Sequence, residues 1–414
     1  MDRRRIVISG IGVVSCYGTC VESFFQSLLL GKSGVQYVQE WVDLALPTQF
    51  GAIVQDFVPT DVVHKKEARR LEKGIVYALS ASRDALSDSQ LNLREISPER
   101  IGVLIGSGMG GVQTFVRNIE GFTQRSVRGV SPFFIPHILS NMAGAKVAIH
   151  QGLLGPNYGI SAACATANYA CIAAANHIRQ GEADIMLAGG VDASITPACV
   201  AGFGALKALS TNNTSITTAS CPWDRNRKGF VIGEGCGVLV LETLEHALAR
   251  NAPIYAEYLG GATSMDGYHM TRPAEEGVQL SRCMAQALQN AQRTPQEIDV
   301  INAHATSTQA GDLCEIRALK RLFGEHLARI PLHATKSLMG HALGAAGAFE
   351  AIALALSLRK GLLHPTINLQ DPEPEVQGLN LVAGEAQGGT YRCGISNSSG
   401  FGGHNSCIVL SRYE

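Results

Sequence analysis

Two alanine- and glycine-rich helical segments of the chain resemble each other. The first opens with SAACATA at residues 161–167 and closes on a basic-x-Gly tripeptide at 179–181. The second opens with KSLMGH at residues 336–341, continues through GAAGA and closes in the same way at 359–361. Helices with small side chains on one face can approach each other closely. The similarity of the two segments therefore predicts a duplicated unit whose two helices pack against each other between sheets.

Short apolar runs alternate with helical periodicity along the chain. The strand-like runs are residues 5–10, 101–105, 185–188, 237–241, 299–303 and 407–410, and the helical segments are 72–86, 165–179, 279–291 and 344–358. Continuous apolar runs are typical of strands buried on both faces, so we expect an α/β fold with largely buried, mixed sheets. A helix over 241–249 followed by a strand from Ile254 predicts two halves, residues 1–253 and 254–414.

Composition narrows the class of protein. Apolar residues make up 46% of the 414 residues and charged residues 17%, which indicates a densely packed chain. A net charge of −1 gives no general attraction to nucleic acid. No apolar run reaches the ~18 residues of a membrane span, and residues 1–5 lead directly into a strand without a cleavage signature. We therefore expect a cytoplasmic protein with no nucleic-acid or membrane partner.

One cysteine stands apart from the other ten. The eleven cysteines contain no Cys-x-x-Cys pair, and most are typical of small buried apolar residues in a reduced protein. Cys164 instead precedes a helix, where uncapped N–H groups and the helix dipole lower the pKa of a thiol. We expect Cys164 to be a nucleophile with a lowered pKa.

Three further segments carry candidate chemistry. His304 ends a predicted strand and opens the hydroxyl-rich run ATST at residues 305–308. Lys336 and His341 are five residues apart around a glycine turn, and an ammonium buried there needs a partner. Residues 394–405 contain four glycines, which allow positive φ angles and close substrate approach. Each segment alone is compatible with an ordinary structural role, so their combination carries the argument.

The order and spacing of these four motifs resemble the elongating β-ketoacyl-[acyl-carrier-protein] synthases of types I and II, closest to type II. The runs SPFF at 131–134, PWD at 222–224 and HPTIN at 364–368 also look like that family. The resemblance implies a thiolase-like layered αβαβα fold of two duplicated halves around central helices, usually as a homodimer. It implies an acyltransferase of fatty acid elongation that joins an acyl group to malonyl-carrier protein by decarboxylative Claisen condensation, without a required cofactor.

The resemblance also assigns catalytic roles. Cys164 would accept the acyl group, and the backbone N–H groups of Cys164 and Phe401 would form the oxyanion hole. His304 and His341 would donate from Nε2 to the enolate oxygen, with their far nitrogens fixed by neighbours. Lys336 would supply positive charge, with Asp312 and Glu315 as its counter-charges.

Further positions match binding residues of the family. Thr306 and Thr308 would hold the phosphopantetheine arm of the carrier protein, and Met109, Phe203 and Phe401 would line the acyl pocket. The acidic carrier protein would dock on Lys66, Arg69, Arg70, Arg128 and Lys207, although a solvated charged face is the plain alternative. A structural Na⁺ or K⁺ ion would bind at Asn302, Glu350, Ser396 and Asn397, and an ordinary hydrogen-bonded glutamate is an equal alternative.

Two residues depart from the family pattern. Ser399 stands where an aromatic residue is usual, and His404 stands where threonine is common. We expect Ser399 to loosen the gate formed by Phe401 and to alter acyl-chain selectivity, with the chemistry unchanged. The sequence does not determine the preferred chain length or type I against type II behaviour.

Rival interpretations remain at this point. GSGMGG at residues 106–111 fits a dinucleotide-binding pattern, but no acidic residue ends a second strand about twenty residues later. A degradative thiolase needs a second catalytic cysteine in the glycine loop, and residues 401–404 contain none. The initiating and plant-polyketide synthases usually combine Cys and His with Asn, whereas this chain has His341 at the third position. A polyketide-type ketosynthase stays open, as does a noncatalytic chain-length partner subunit, which the presence of Cys164 disfavours.

Overall fold

The computed structural model describes residues 4–414. Its strands are β1 Ile6–Val14, β2 Gln36–Tyr37, β3 Phe50–Gly51, β4 Ile101–Gly106, β5 Ile185–Asp192, β6 Gly235–Thr243, β7 Ala256–Met265, β8 Val300–Asn302, β9 Leu332–His333, β10 Leu362–Leu363, β11 Gln387–Gly388, β12 Cys393–Gly400 and β13 His404–Ser411. Its α-helices are α1 Val21–Leu29, α2 Gln39–Asp43, α3 Lys65–Ala68, α4 Lys73–Asp88, α5 Val112–Arg125, α6 Phe134–Ile138, α7 Met142–Gln151, α8 Thr166–Gln180, α9 Pro197–Ala205, α10 Leu244–Ala249, α11 Val278–Asn290, α12 Gln309–Phe323, α13 Lys336–Met339 and α14 Ala346–Lys360.

Nine strands form one sheet with two similar arms, in the order β4-β5-β6-β1-β7-β13-β12-β8-β9. In the first arm β4 and β5 are parallel, and β6 and β1 follow antiparallel. In the second arm β9, β8 and β12 are parallel, and β13 and β7 follow antiparallel. The two arms therefore repeat one topology, as the duplicated sequence pattern predicted.

The arms join where β1 pairs with β7. The pairing covers three residues of each strand, Ile6 to Ile8 against Ala256 to Tyr258. The sequence had predicted separate sheets, but β1 uses one edge to pair with β6 and offers the start of its other edge to β7. Unpaired backbone groups at a buried edge are costly, which explains the continuous hydrogen-bonded ladder.

Helices α8 and α14 lie in contact between the two arms. Helices α4 and α7 cover the outer face of the first arm, and α11 and α12 cover that of the second. The close approach requires small residues, because a Cβ added to Gly347 of α14 would lie 2.8 Å from Asn168 Oδ1 of α8. The predicted central packing of the two helices is confirmed, within a layered αβαβα arrangement.

Several predicted boundaries need correction. Residues 241–243 complete strand β6, so the following helix α10 begins only at Leu244, and β7 begins at Ala256 rather than Ile254. The glycine-rich segment 394–405 is mostly a β-hairpin, and its turn comprises residues 401–403. Its small residues pair in the ladder between β12 and β13, which explains why a loop-like composition forms strands. Within residues 4–414, no helix is both long and apolar enough to cross a bilayer.

Candidate active site

A cavity of about 340 Å³ lies where the four predicted segments meet. Cys164 lies just before α8, His304 follows β8, His341 lies between α13 and α14, and Phe401 lies in the turn between β12 and β13. All four residues line the cavity. The structure thus brings the predicted nucleophile and both imidazoles from the two halves to one space.

Cys164 is partly buried and lines this cavity. Burial raises the pKa of its thiol to about 12, whereas the charge of Lys336 and hydrogen bonds from the backbone of Phe401 and Cys164 lower it. The expectation of a lowered pKa is therefore wrong, since desolvation of the thiolate outweighs the favourable contacts. The same two backbone N–H groups lie beside the sulfur, so their assignment to an oxyanion hole for a bound thioester stays a prediction.

Lys336 has two direct partners inside the protein. Its side chain is 2% exposed, and its ammonium contacts the Glu350 carboxylate in an ion pair. Lys336 Nζ also lies 3.1 Å from Nδ1 of His304. Because an ammonium can only donate, Nδ1 must accept, and the proton of the neutral His304 ring then stands on Nε2. This is the tautomer expected for His304.

The two histidine rings lie edge to face, with centroids 5.5 Å apart. Burial and the charge of Lys336 lower the pKa of both well below the usual value, so both rings are neutral near pH 7. The expectation of a fixed far nitrogen fails for His341, whose Nδ1 has no hydrogen-bond partner within residues 4–414. The neighbouring ring of Phe230, 5.3 Å away, offers no acceptor or donor at that position.

The assignment of Asp312 as a counter-charge of Lys336 is wrong. Asp312 lies 3.2 Å from Arg227 Nε in a fully buried ion pair and accepts the backbone N–H groups of Trp223 and Ser307. It therefore stabilises the loop after His304 and does not contact the lysine. The direct counter-charge of Lys336 is Glu350, which the sequence had placed in a cation site.

Glu315 supports the histidine through the backbone. Its carboxylate accepts the N–H groups of His304 at 2.7 Å and Ala305 at 2.8 Å, and also the side-chain amide of Asn397 at 2.6 Å. Burial raises the pKa of Glu315, while these hydrogen bonds lower it. The carboxylate fixes the backbone from which His304 projects into the cavity.

The four residues assigned to a monovalent cation fit it unequally. The Glu350 carboxylate already forms an ion pair with Lys336, and the side-chain amide of Asn302 donates to Thr335 Oγ1 at 3.1 Å. Within residues 4–414, Ser396 Oγ and Asn397 Oδ1 are buried without a hydrogen-bond partner. Buried oxygens of this kind suit Na⁺ or K⁺. Ser396 and Asn397 are consecutive residues of β12, however, and their side chains point to opposite faces of the sheet, so a Na⁺ or K⁺ ion held by this set stays a prediction.

The cavity has an apolar wall and a hydroxyl-bearing wall. Met109, Phe203 and Phe401 line the apolar wall, with the two phenylalanine rings 6.5 Å apart. Thr306 and Thr308 line the other wall, and their hydroxyl oxygens lie 3.0 Å apart. Sequence reasoning missed further lining residues, namely Phe230, Leu206, Leu343, Thr271 and Arg272. No local motif marks these residues, because each is brought to the cavity by the tertiary fold.

The five predicted docking residues are all exposed. Lys66 and Arg70 line a separate groove of about 440 Å³, and Lys207 lines the cavity of Cys164. Arg69 and Arg128 line neither space. Sequence reasoning missed one basic residue of this groove, Lys146, which forms an ion pair with Glu67 at 2.7 Å.

Ser399 makes a polar contact where an aromatic ring was expected. Its hydroxyl donates to Asn405 Oδ1 at 3.0 Å, and Asn405 Nδ2 donates to Asp266 Oδ1 at 2.7 Å. The hairpin is thereby connected to the segment that begins at Asp266. His404, the second departure, lies edge to face against Tyr169 with ring centroids 5.8 Å apart.

Comparison with known proteins identifies the family. The model of the β-ketoacyl synthase N-terminal domain matches residues 3–247, and that of the C-terminal domain matches residues 255–370. The chain belongs to the β-ketoacyl synthase family. It is 46% identical to the chloroplastic 3-oxoacyl-[acyl-carrier-protein] synthase I of Hordeum vulgare, covering 100% of the chain and 90% of that protein. It is 44% identical to 3-oxoacyl-[acyl-carrier-protein] synthase 2 of Coxiella burnetii, covering 100% of the chain and 99% of that protein.

Solved ketosynthases have the same fold as this β-ketoacyl synthase. A type II polyketide ketosynthase in complex with its acyl-carrier protein superposes with a TM-score of 0.92, at 34% identity and full coverage of both chains. A β-ketoacyl synthase from Burkholderia phymatum gives a TM-score of 0.93 at 33% identity, covering 99% of the chain and 100% of the other. The chain is therefore an acyltransferase of the thiolase-like fold that forms carbon–carbon bonds.

Proposed function

We propose that the chain is a 3-oxoacyl-[acyl-carrier-protein] synthase of fatty acid elongation. The observation that carries the proposal is the convergence of Cys164, His304 and His341 on one cavity with an apolar wall. The identity of 42–46% to elongating synthases exceeds the 32–34% to polyketide-type structures, which favours fatty acid elongation over the polyketide alternative. The thiol of Cys164 disfavours a noncatalytic partner subunit.

In the first half-reaction, the acyl group moves to the protein. The sulfur of Cys164 attacks the thioester carbonyl of the acyl carrier, and the thiol proton moves to the departing carrier sulfur, since His304 and His341 keep their N–H groups on Nε2 for the enolate. The N–H groups of Cys164 and Phe401 would hold the resulting oxyanion. The carrier thiolate leaves and takes up the proton, so an acyl thioester on Cys164 remains.

In the second half-reaction, malonyl-carrier protein loses carbon dioxide. The electron pair of the broken C–C bond forms an enolate, whose oxygen would accept hydrogen bonds from His304 and His341. Neutral rings suit this role, since each presents an N–H group and a donor aimed at developing charge is worth about 2.7–4 kcal/mol. The enolate carbon then attacks the carbonyl of the acyl thioester, and the bond between that carbonyl and the Cys164 sulfur breaks. The 3-oxoacyl product remains on the carrier protein, and Cys164 is released as a thiolate.

The carrier protein is the proposed partner. Lys66, Arg69, Arg70, Arg128 and Lys207 are exposed and would meet its acidic surface. Thr306 and Thr308 would hydrogen-bond the phosphopantetheine arm, and the wall of Met109, Phe203 and Phe401 would take the acyl chain. We place the protein in the cytoplasm. We place the boundary between its two halves between residues 253 and 254, and we assign a bound Na⁺ or K⁺ ion a structural role only.

A homodimer is part of the proposal. Nine large apolar side chains are exposed within residues 115–154, and a concentration of exposed apolar side chains indicates a protein interface. They are Phe115, Ile119, Phe122, Val127, Phe133, Ile135, Leu139, Ile149 and Leu154. Sedimentation of the protein at micromolar concentration should give twice the mass of the chain, and a monomer at that concentration would contradict the dimer.

Mass spectrometry with carrier proteins tests the activity. The protein is incubated with acyl-carrier proteins of graded chain length, and the peptide containing Cys164 is weighed before and after malonyl-carrier protein is added. We expect an acyl adduct that disappears as a 3-oxoacyl product two carbons longer forms. An adduct on another residue, or no product from any chain length, would contradict the proposal.

A further inference from the structure

Asp192 is a buried carboxylate that the reaction described above does not use. It ends strand β5, is 2% exposed, and accepts four hydrogen bonds. The donors are Ser107 Oγ at 2.7 Å, Gly108 N at 3.2 Å, Met109 N at 3.1 Å and Gly344 N at 2.6 Å. In the sequence, Asp192 is the last residue of an apolar run. This pattern alone does not assign it a role.

The donors belong to two walls of the active-site cavity. Gly108 and Met109 come from the first half of the chain, whereas Gly344 comes from the second and follows Leu343, which lines the cavity. The packing is tight, because a Cβ on Gly344 would lie 2.6 Å from Gly108 N and 2.7 Å from Asp192 Oδ2. The Asp192 carboxylate thus holds the part of the cavity wall that contains Met109 against the part that contains Leu343. No room for a side chain remains between Gly108 and Gly344.

We propose that Asp192 is a positioning residue that sets the spacing of Met109 and Leu343 beside Cys164, and thereby determines which acyl chains fit. The inference rests on the proposed elongation function and deepens it. A carboxylate with four donors in low dielectric has one favourable geometry, so its backbone partners are held more rigidly than apolar packing would hold them. Loss of these bonds would leave buried N–H groups without acceptors and let the two walls separate.

The charge of Asp192 gives an independent readout. Its carboxylate raises the pKa of the Cys164 thiol, and Lys336 opposes it. Burial raises the thiol pKa of Cys199, and the Asp192 carboxylate raises it further. Burial raises the pKa of Asp192 itself to about 6, and its four hydrogen bonds lower it. At pH 7 Asp192 is therefore mostly ionised, and its neutral replacement should make the Cys164 thiol easier to deprotonate.

Two variants separate charge from position. Asp192→Asn removes the charge and turns an amide N–H toward backbone donors, whereas Asp192→Glu keeps the charge and adds a methylene. The matched control is Asp224→Asn, which alters a carboxylate that is 3% exposed and accepts three backbone N–H groups, from Asn226, Gln370 and Asp371, outside the cavity. Thermal melts of all three show how much each change destabilises the fold.

Two measurements are made on each protein. The first is the distribution of acyl adducts on Cys164 over carrier substrates of graded length, and the second is the rate of Cys164 alkylation by iodoacetamide from pH 6 to 9. Both Asp192 variants should shift the adduct distribution relative to Asp224→Asn. Asp192→Asn alone should alkylate faster, by roughly three- to fourfold for each unit by which the thiol pKa falls, because the gain in thiolate is partly offset by its lower nucleophilicity.

The outcomes decide between positioning and mere stability. Retention of the wild-type adduct distribution in both Asp192 variants would overturn the proposal, whereas an alkylation profile of Asp192→Asn equal to that of Asp224→Asn would refute only the effect of the Asp192 charge on Cys164. A wild type that forms adducts but no 3-oxoacyl product would refute the elongation function instead. Both Asp192 readouts remain decisive in that case, since neither requires condensation.

Discussion

The two halves of the molecule open their central helices in the same way and bring different chemistry to the cavity. Ahead of α8, the first half offers Cys164 among small residues, facing an apolar wall. Ahead of α14, the second half offers Lys336 and His341, which with His304 and Glu350 form a buried polar group at most 7% exposed. Duplication supplied one scaffold, and the residues at the helix openings diverged.

The difference teaches how the reaction is divided. An acyl chain must reach the nucleophile, and Cys164 accordingly lines a cavity with an apolar wall. The groups that donate to an enolate are buried, because hydrogen bonds and charges act more strongly in low dielectric. We therefore assign acyl storage to the first half and charge stabilisation to the second.

Removal of the sulfur is the strongest test of this division. Cys164→Ala should form no acyl adduct and should lose condensation by a factor on the order of 10³ or more, since covalent catalysis is eliminated. Mass spectrometry of the Cys164 peptide and product analysis check both effects. The control is Cys171→Ala, which alters a buried cysteine inside α8. Residual adducts in Cys164→Ala would place the nucleophile elsewhere.

Removal of one imidazole should separate the two halves functionally. His304→Ala and His341→Ala each delete one expected enolate donor, so condensation should fall by roughly 10²–10³, while an acyl adduct on Cys164 still accumulates. Quenched-flow measurement of adduct and product distinguishes the two steps. If both variants lost adduct formation as completely as condensation, the division of labour would be wrong.

Sequence patterns anticipated the strands, the central helices and the four segments of the cavity, because each depends on local periodicity or on residues close together in the chain. They failed where partners come from distant segments. The pairing of Lys336 with Glu350, and of Asp312 with Arg227, depends on side-chain geometry that no spacing encodes. The raised pKa of Cys164 has the same cause, since burial is a property of the assembled fold.

The second half should also be the more sensitive to acid. His333 and His364 lie 4.2 Å apart between ring centroids, and burial lowers both pKa values, that of His364 to about 4. Both are neutral in the folded state but protonate in the unfolded chain below pH ~6.5, so stability is lost as pH falls below that value.

The variant His333→Leu removes one of these groups. Between pH 7 and 5 its unfolding free energy should fall less than that of wild type, by about 2 kcal/mol, because each pKa unit corresponds to ~1.4 kcal/mol. Acidic groups with raised pKa values act in the opposite direction but are shared by both proteins. Chemical denaturation at each pH checks the difference, with exposed His150→Gln as control. Parallel curves for wild type and His333→Leu would contradict it.

Docking should depend on the first half alone. Arg69→Glu/Arg70→Glu should raise KM for carrier-bound substrates by roughly tenfold at low salt and leave coenzyme A substrates unchanged, because exposed charges steer a charged partner and are screened by ions. The control Arg94→Glu/Arg412→Glu changes net charge equally at other exposed positions. Equal effects on both substrate classes, or equal effects of both double variants, would refute docking at Arg69 and Arg70.

The smallest expected effect concerns Ser399, a residue of the second half that faces the acyl side of the reaction. Ser399→Phe replaces the hydrogen bond to Asn405 with a ring that occupies part of the cavity. We expect a shift of preference by about one two-carbon unit, worth roughly 1 kcal/mol, which is the low end of what pocket changes cause, and slower opening of the 401–403 turn. Ser399→Ala, which removes only the hydrogen bond, separates the effect of bulk from that of the lost contact. If the chain-length profile and the hydrogen exchange of residues 401–403 stayed unchanged in Ser399→Phe, this residue would have no part in the gate.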